Sequence, residues 1–224
     1  MGVWTRIMFI VALGAFSASQ VHGSEAASPQ ETPPQALETL LDRDAPKEAR
    51  DAAMRQLVAN AQAGDGHSAF YLGALYRQGM DHPAQLVERD PETARFWLDK
   101  CIGSARCPLI ALASLAELEL AAGNTKPAMQ WAQAWVVLDR ELDNRTRGTR
   151  PHQNTTDAQY KNTAYHAYLI ERGYKAMAKA KDADALAREW FDELRKARGT
   201  QLDRMLFAQL EGEGGTATWN SSKL

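Results

Sequence analysis

The sequence of 224 residues carries 26 basic and 28 acidic side chains, so its net charge is −2, and 45 % of its residues are hydrophobic. With only two cysteines, this composition excludes collagen-like, low-complexity and cysteine-stapled chains. A net charge this close to zero also argues against a nucleic-acid partner, which would need a basic face. Alanine is abundant and β-branched residues are sparse, which predicts an all-α protein.

Residues 1–23 are typical of a secretory signal peptide. A short start that contains Arg6 precedes an apolar run over residues 7–16, and a tail of small residues ends at Gly23. The apolar run is too short to cross a bilayer of about 30 Å. We therefore expect this segment to be cleaved and the mature chain to be exported, to the periplasm or beyond the cell, without an integral membrane segment.

The rest of the chain is predicted to be a series of helices. Residues 24–35 are polar and contain three prolines, so we expect a flexible linker there. Asp90 before Pro91 is typical of a helix start, and glycines mark helix ends at Gly64, Gly79, Gly123 and Gly199. These signals predict helices over residues 36–43, 46–63, 67–79, 91–102, 108–122, 126–142, 157–180, 183–198 and 201–211. Residues 213–224 are expected to be a disordered tail.

A repeated motif organises these helices into pairs. The pattern Ala-x-x-Trp recurs in second helices of pairs, with its tryptophan at Trp97, Trp131 and Trp190, and Trp97 and Trp131 are 34 residues apart. A helix pair repeated near 34 residues indicates an α-solenoid, because each pair buries its apolar face by stacking on the next. We expect Gly73 to allow close approach of the paired helix, and the tryptophans to fill the core rather than bind ligands.

The first repeat carries a family resemblance. Residues 68–101 are similar to a Sel-one-like repeat, a relative of the tetratricopeptide repeat, at Ser68, Leu72, Gly73, Tyr76, Gly79, Asp90, Ala94, Trp97 and Lys100. Weaker copies cover residues 111–135 and 166–197. The resemblance implies a right-handed α-solenoid of about three antiparallel helix pairs with capping helices over residues 36–212. It also implies a non-catalytic scaffold for protein–protein interaction, and it carries over no catalytic residue and no cofactor.

The resemblance also indicates where a partner would bind. In such proteins the first helices of the pairs line a concave surface. Tyr71, Ala74 and Gln78 lie opposite the apolar stripe of their helix by helical spacing, and Ser114 and Glu117 would lie alongside them from the next pair. We expect these five residues to contact a protein or peptide of the cell envelope; the alternative is that they touch only solvent or a neighbouring helix.

Cys101 and Cys107 are the two cysteines of the chain. In an oxidising compartment, an isolated pair across a short loop between helices is typical of a structural disulfide. A redox-active pair normally has two intervening residues, and a zinc site would need two more ligands. We therefore predict a disulfide and no metal site.

The sequence contains no recognisable catalytic motif. It lacks the His-Glu-x-x-His pattern, the Gly-x-Ser-x-Gly elbow and a phosphate-binding loop. His166 lies near Glu171 on a predicted helix, where we expect a packed or solvated histidine. The alternative hypotheses are an envelope enzyme, or the regulatory subunit of one, that acts on cell-wall material, and a stabilising subunit of a larger envelope assembly.

Residues 139–156 form the longest predicted irregular stretch within the repeats. The stretch is locally basic at Arg140, Arg145, Arg147, Arg150 and His152. Loops of this length inside compact folds are often functional or disordered. It is predicted either to be a solvated spacer or to contact an acidic partner or an envelope polymer.

Overall fold

The described part of the chain is entirely helical. The computed structural model describes residues 33–82, 84–104, 106–146 and 155–212, and no strand occurs within them. The helices are α1 (Pro33–Leu41), α2 (Lys47–Gln62), α3 (Gly66–Gln78), α4 (Pro91–Gly103), α5 (Ile110–Ala121), α6 (Thr125–Thr146), α7 (Thr155–Ala176) and α8 (Ala183–Gly212), with a 3₁₀ turn at Gly79–Asp81. The predicted all-α class is therefore confirmed. The predicted signal peptide, most of the linker and nearly all of the tail lie outside the described residues.

Helix starts and ends follow local chemistry at several positions. The Asp90 carboxylate accepts a hydrogen bond from the backbone N–H of Thr93 at 3.0 Å, and Pro91 occupies the first helical position of α4, as predicted. Backbone φ angles of 97°, 62° and 79° lie in the left-handed region that favours glycine, at the helix ends Gly64, Gly79 and Gly123. These three predicted helix ends are confirmed.

Gly199, in contrast, does not end a helix. The helices predicted over 183–198 and 201–211 form the single helix α8. The prediction was wrong because Leu194, Leu202 and Met205 continue one buried apolar stripe across the glycine. Burial of these side chains outweighs the cost of about 1 kcal/mol for glycine inside a helix.

Residues 139–146 are helical rather than irregular, which corrects the predicted stretch over 139–156. Helix α6 continues to Thr146, and Leu142 is buried on it. Arg145 forms an ion pair with Glu141 one helical turn away, at 2.7 Å, and Arg140 is exposed on the same helix. The other basic positions of the stretch lie outside the described residues, namely Arg147, Arg150 and His152.

The helices pack mainly against their neighbours in the chain and, in several cases, against alternate helices. Helices α3 and α4, and likewise α5 and α6, form the most extensive interfaces between consecutive helices. Alternate helices also touch in succession, α1 with α3, α3 with α5 and α5 with α7, while α2 contacts α4 and α6 contacts α8. Gly73 makes the α3–α4 approach possible, because a Cβ atom there would lie 2.7 Å from Cγ of Leu98 and 3.4 Å from the carbonyl oxygen of Ala94.

Helix α8 is attached differently from the earlier second helices. It packs mainly against α6 and also against α4, whereas its backbone hardly approaches α7. Arg198 of α8 forms an ion pair with Asp99 of α4 at 3.1 Å, and its guanidinium carbon lies 5.4 Å from the Trp131 ring centroid of α6. Helices α7 and α8 therefore do not pack against each other in the way that α3 packs against α4 and α5 against α6.

The tryptophans of the repeated motif lie in the hydrophobic core. Trp97 on α4 and Trp131 on α6 are buried, at 7 % exposure each. Trp190 on α8 is half-buried and packs against a smaller cluster built on Met129, Met177 and Ala187. The prediction that these rings serve the core is confirmed for Trp97 and Trp131.

Cys101 and Cys107 form the predicted disulfide. Their Cα atoms are 5.0 Å apart, within the range that a disulfide requires, and both residues are fully buried. The bridge joins the last turn of α4 to the segment before α5. The start of α3 rests on this segment, since a Cβ at Gly66 would lie 2.7 Å from the Arg106 carbonyl carbon.

Candidate functional site

Glu117 on α5 links three alternate helices. Nη1 of Arg77 on α3 donates to Oε2 of Glu117, in an ion pair whose two side chains are both half-buried. The hydroxyl of Tyr165 on α7 hydrogen-bonds the same carboxylate. Burial and the neighbouring Glu117 charge raise the pKa of Tyr165 well above its ordinary value, so the hydroxyl stays protonated and donates.

Helix α7 extends this contact with an aromatic stripe. Tyr165 and Tyr168 stack with ring centroids 6.2 Å apart and planes inclined by 13°. One turn later, Nη1 of Arg172 donates to the Tyr168 hydroxyl at 2.8 Å, and its guanidinium carbon lies 5.5 Å from the ring centroid. Tyr168 is nonetheless 45 % exposed. The chain therefore holds an aromatic ring and a cation in fixed positions at the surface.

We call Arg77, Glu117, Tyr165, Tyr168 and Arg172 together the α3–α5–α7 face. Its residues come from three helices that are adjacent in space but far apart in sequence. Arg77 and Glu117 neutralise each other, and the neighbouring Glu171 pairs with Lys175 at 2.6 Å. What the face offers to a partner is therefore mainly the Tyr168 edge, its hydroxyl and the Arg172 charge.

The five residues predicted to bind a partner differ in accessibility. Tyr71, Ala74 and Gln78 are half-buried on α3, and Tyr71 also packs against the core and the Phe70 ring. Ser114 is only 5 % exposed, so little of its side chain is open to a partner. Glu117 alone among them belongs to the α3–α5–α7 face.

Sequence reasoning missed the other four residues of the face. Arg77 is 40 residues from Glu117 in the chain, and no local pattern signals a contact over that separation. The spacing of Tyr165, Tyr168 and Arg172, at i, i+3 and i+7, does place them on one side of a helix. That spacing was the available signal in the sequence.

A second carboxylate, Glu119 on α5, is fully engaged in structural contacts. It is buried, and its Oε1 accepts from Nε of Arg95 on α4 at 2.7 Å. Its Oε2 accepts from Nδ2 of Asn124 in the α5–α6 turn, also at 2.7 Å. Because both oxygens are occupied, Glu119 ties α4 to this turn and is not placed as an acid or base.

His166 packs beside α6 rather than beside Glu171. Its ring meets that of Trp135 edge-on, with centroids 3.8 Å apart, and its Nε2 lies 3.8 Å from Oδ2 of Asp139. Burial lowers the pKa of His166, and the Asp139 charge offsets this only in part. The histidine is therefore a packed, neutral side chain near neutral pH.

Within the described ranges, no three His, Cys, Asp or Glu side chains come close enough together to bind a metal ion. In the same part of the chain, no helix combines the length and the apolar character that a bilayer-spanning segment needs.

Comparison of the whole chain with family models, with curated proteins and with solved structures gives no match. The resemblance to a Sel-one-like repeat therefore stays a prediction from the sequence.

Proposed function

We propose that this protein is an exported, non-catalytic scaffold for protein–protein interaction, built as a right-handed α-solenoid of Sel-one-like repeats. The successive contacts of α1, α3, α5 and α7 support the solenoid part, because stacked first helices are what such repeats require. The close approach at Gly73 supports the repeat assignment, since this position of the motif must be small.

The observation that carries the proposal is the exposed Tyr168 held beside Arg172. Tyrosine and arginine are among the residues that contribute most to binding at protein interfaces. Tyr168 is already held by its stack on Tyr165 and by the Arg172 hydrogen bond, so binding would immobilise little additional side-chain freedom. The partner we propose is a protein or peptide of the cell envelope that contacts the α3–α5–α7 face.

A site-specific crosslinking experiment tests this proposal. A photo-crosslinking amino acid is placed in the full chain at Tyr168 and, as a control, at Glu189, which is exposed on α8. We expect one dominant protein to be crosslinked in cells from position 168 and not from position 189. The absence of any protein crosslinked from position 168 would contradict the proposal and would favour the alternative of an envelope enzyme that acts on cell-wall material.

Direct binding then tests the residues. With the crosslinked protein purified, we expect Tyr168→Ala and Arg172→Glu each to weaken its binding about tenfold, which corresponds to about 1.4 kcal/mol. Glu189→Arg is the matched control and should bind like the unchanged chain. Equal affinities for all four proteins would place the binding surface elsewhere.

Export is tested separately. We propose that cleavage follows Gly23, so that the mature chain begins at Ser24. Cell fractionation with N-terminal sequencing of the recovered protein measures this. A full-length N-terminus in the cytosolic fraction would contradict the export proposal without affecting the crosslinking result.

A further inference from the structure

Helix α7 carries three of the five residues of the α3–α5–α7 face, so its attachment to α6 controls that face. His166 lies at this attachment. Its side chain is 14 % exposed and packs edge-on against Trp135, one of the most completely buried side chains of the core. Trp135 also packs against Tyr165 with ring centroids 5.3 Å apart, so the same core ring contacts both the histidine and a residue of the face.

The surroundings of the His166 imidazole favour its neutral form. Its Nε2 is buried and makes no hydrogen bond within the described structure, and the Asp139 carboxylate oxygen at 3.8 Å is beyond hydrogen-bond distance. A proton added at Nε2 would bury a charge without a hydrogen-bond acceptor. Protonation therefore opposes the observed packing of α7 on α6.

The charges around His166 do not reverse this preference. Helix α6 places Asp139, which favours the protonated form, and Arg140, which opposes it. Helix α5 contributes Glu117, which forms an ion pair with Arg77. The Glu117 carboxylate also accepts a hydrogen bond from Tyr165 on α7 itself. Burial has the largest effect, and it lowers the pKa of His166.

We propose that His166 is a pH-sensitive latch that holds α7 on α6 when the imidazole is neutral and releases it when the imidazole is protonated. A released histidine titrates near 6.5, and the attached one titrates lower. The attachment is therefore fully present above pH 6.5 and is lost as the pH falls from 6.5 through the lowered pKa. Control of partner binding by this latch rests on the proposed function, but the latch itself does not.

Hydrogen exchange of the full chain tests the latch without any partner. We expect the protection factors of α7 amides between Tyr165 and Ala176 to fall by about three- to tenfold from pH 7.5 to pH 5.0, which reflects one coupled proton. Protection factors in α3 serve as the internal reference. His82 also has a pKa lowered by burial, but it lies in the loop after α3 and not on α7.

Variants test whether protonation of His166 causes the loss of α7 protection at low pH. His166→Gln should remove the pH dependence of α7 protection, while His67→Gln, which changes an exposed histidine on α3, should leave it unchanged. If His166→Gln fails to fold, Asp139→Asn provides the second test. It removes the charge that favours protonation of the attached imidazole, so the loss of α7 protection between pH 6.5 and pH 5.0 should become larger.

Three results would overturn the latch. They are α7 protection that is the same at pH 7.5 and 5.0, a His166→Gln variant that keeps the acid-dependent loss, and a His166 pKa at or above 6.5 in an NMR titration of the unchanged chain. If α7 shows the expected pH dependence but no protein is crosslinked from position 168, only the proposed function is contradicted. A partner that binds equally well at both pH values while α7 stays attached would defeat only the latch.

Discussion

Gly73 and Gly199 both lie inside helices, but their surroundings differ. A Cβ at Gly73 would lie 2.7 Å from Cγ of Leu98, a fully buried side chain, whereas a Cβ at Gly199 would have no atom within 4 Å. We expect Gly73→Ala to lower the free energy of unfolding by about 1–2 kcal/mol, because overpacking exceeds the gain in helix propensity. Gly199→Ala should raise it by about 0.5–1 kcal/mol, since only the propensity changes.

Urea denaturation of both variants measures this difference. Gly199→Ala is the matched control, because it makes the same chemical change in a helix without a close neighbour. A Gly73→Ala variant at least as stable as the unchanged chain would show that α3 and α4 can move apart at no cost, and would contradict the close approach as a requirement of the fold.

At the scale of elements, the disulfide holds the end of α4 next to the start of α5. It closes a ring of seven residues from Cys101 to Cys107, for which chain-entropy arithmetic gives about 2.4 kcal/mol. We expect the reduced protein to lose about 2 kcal/mol of unfolding free energy while keeping its helical circular-dichroism signal. The reason is that reduction frees the unfolded chain and leaves the packing of α3 against α4 in place.

A double variant, Cys101→Ala with Cys107→Ala, is the control for this measurement. It should be as stable with reductant as without it. A reduced protein that is as stable as the oxidised one would show that the α4–α5 connection is already ordered by the surrounding helices.

At the scale of the whole molecule, α8 completes the core. Its large buried side chains are Leu194, Leu202, Met205, Leu206 and Leu210. Burial of one such side chain stabilises the folded state by about 1.5–3 kcal/mol. Five of them together are therefore comparable with the unfolding free energy of about 5–15 kcal/mol that is typical of a whole domain. We expect a chain that ends at Asp182 to lose cooperative unfolding and to aggregate, because α6 and α4 would expose the apolar surface that α8 covers.

Circular dichroism, urea denaturation and size-exclusion chromatography measure this effect. A chain that ends at Gly212 is the control, because it retains every described helix and should unfold like the full chain. Cooperative unfolding of the shorter chain at an unchanged midpoint would contradict the role of α8 in the core.

The features that the sequence by itself determined depend on neighbouring residues. The all-α class, the start of α4 at Asp90, the left-handed glycines such as Gly123 and the core position of Trp97 follow from propensity, capping and helical spacing. The disulfide belongs with these, since Cys101 and Cys107 are separated by one short loop. Each rule acts within one or two helical turns, which is the range that a single sequence displays.

Only the tertiary structure decided the continuity of α8 and the composition of the α3–α5–α7 face. The glycine at 199 is a local signal for a helix end, but the burial of Leu202 and Met205 on a helix that packs against α6 and α4 outweighs it. Glu117 meets Arg77 across 40 residues, and its bond to Tyr165 depends on how α7 packs. The physical reason is that burial and ion pairing act through space, and a one-dimensional pattern does not determine which helices become neighbours.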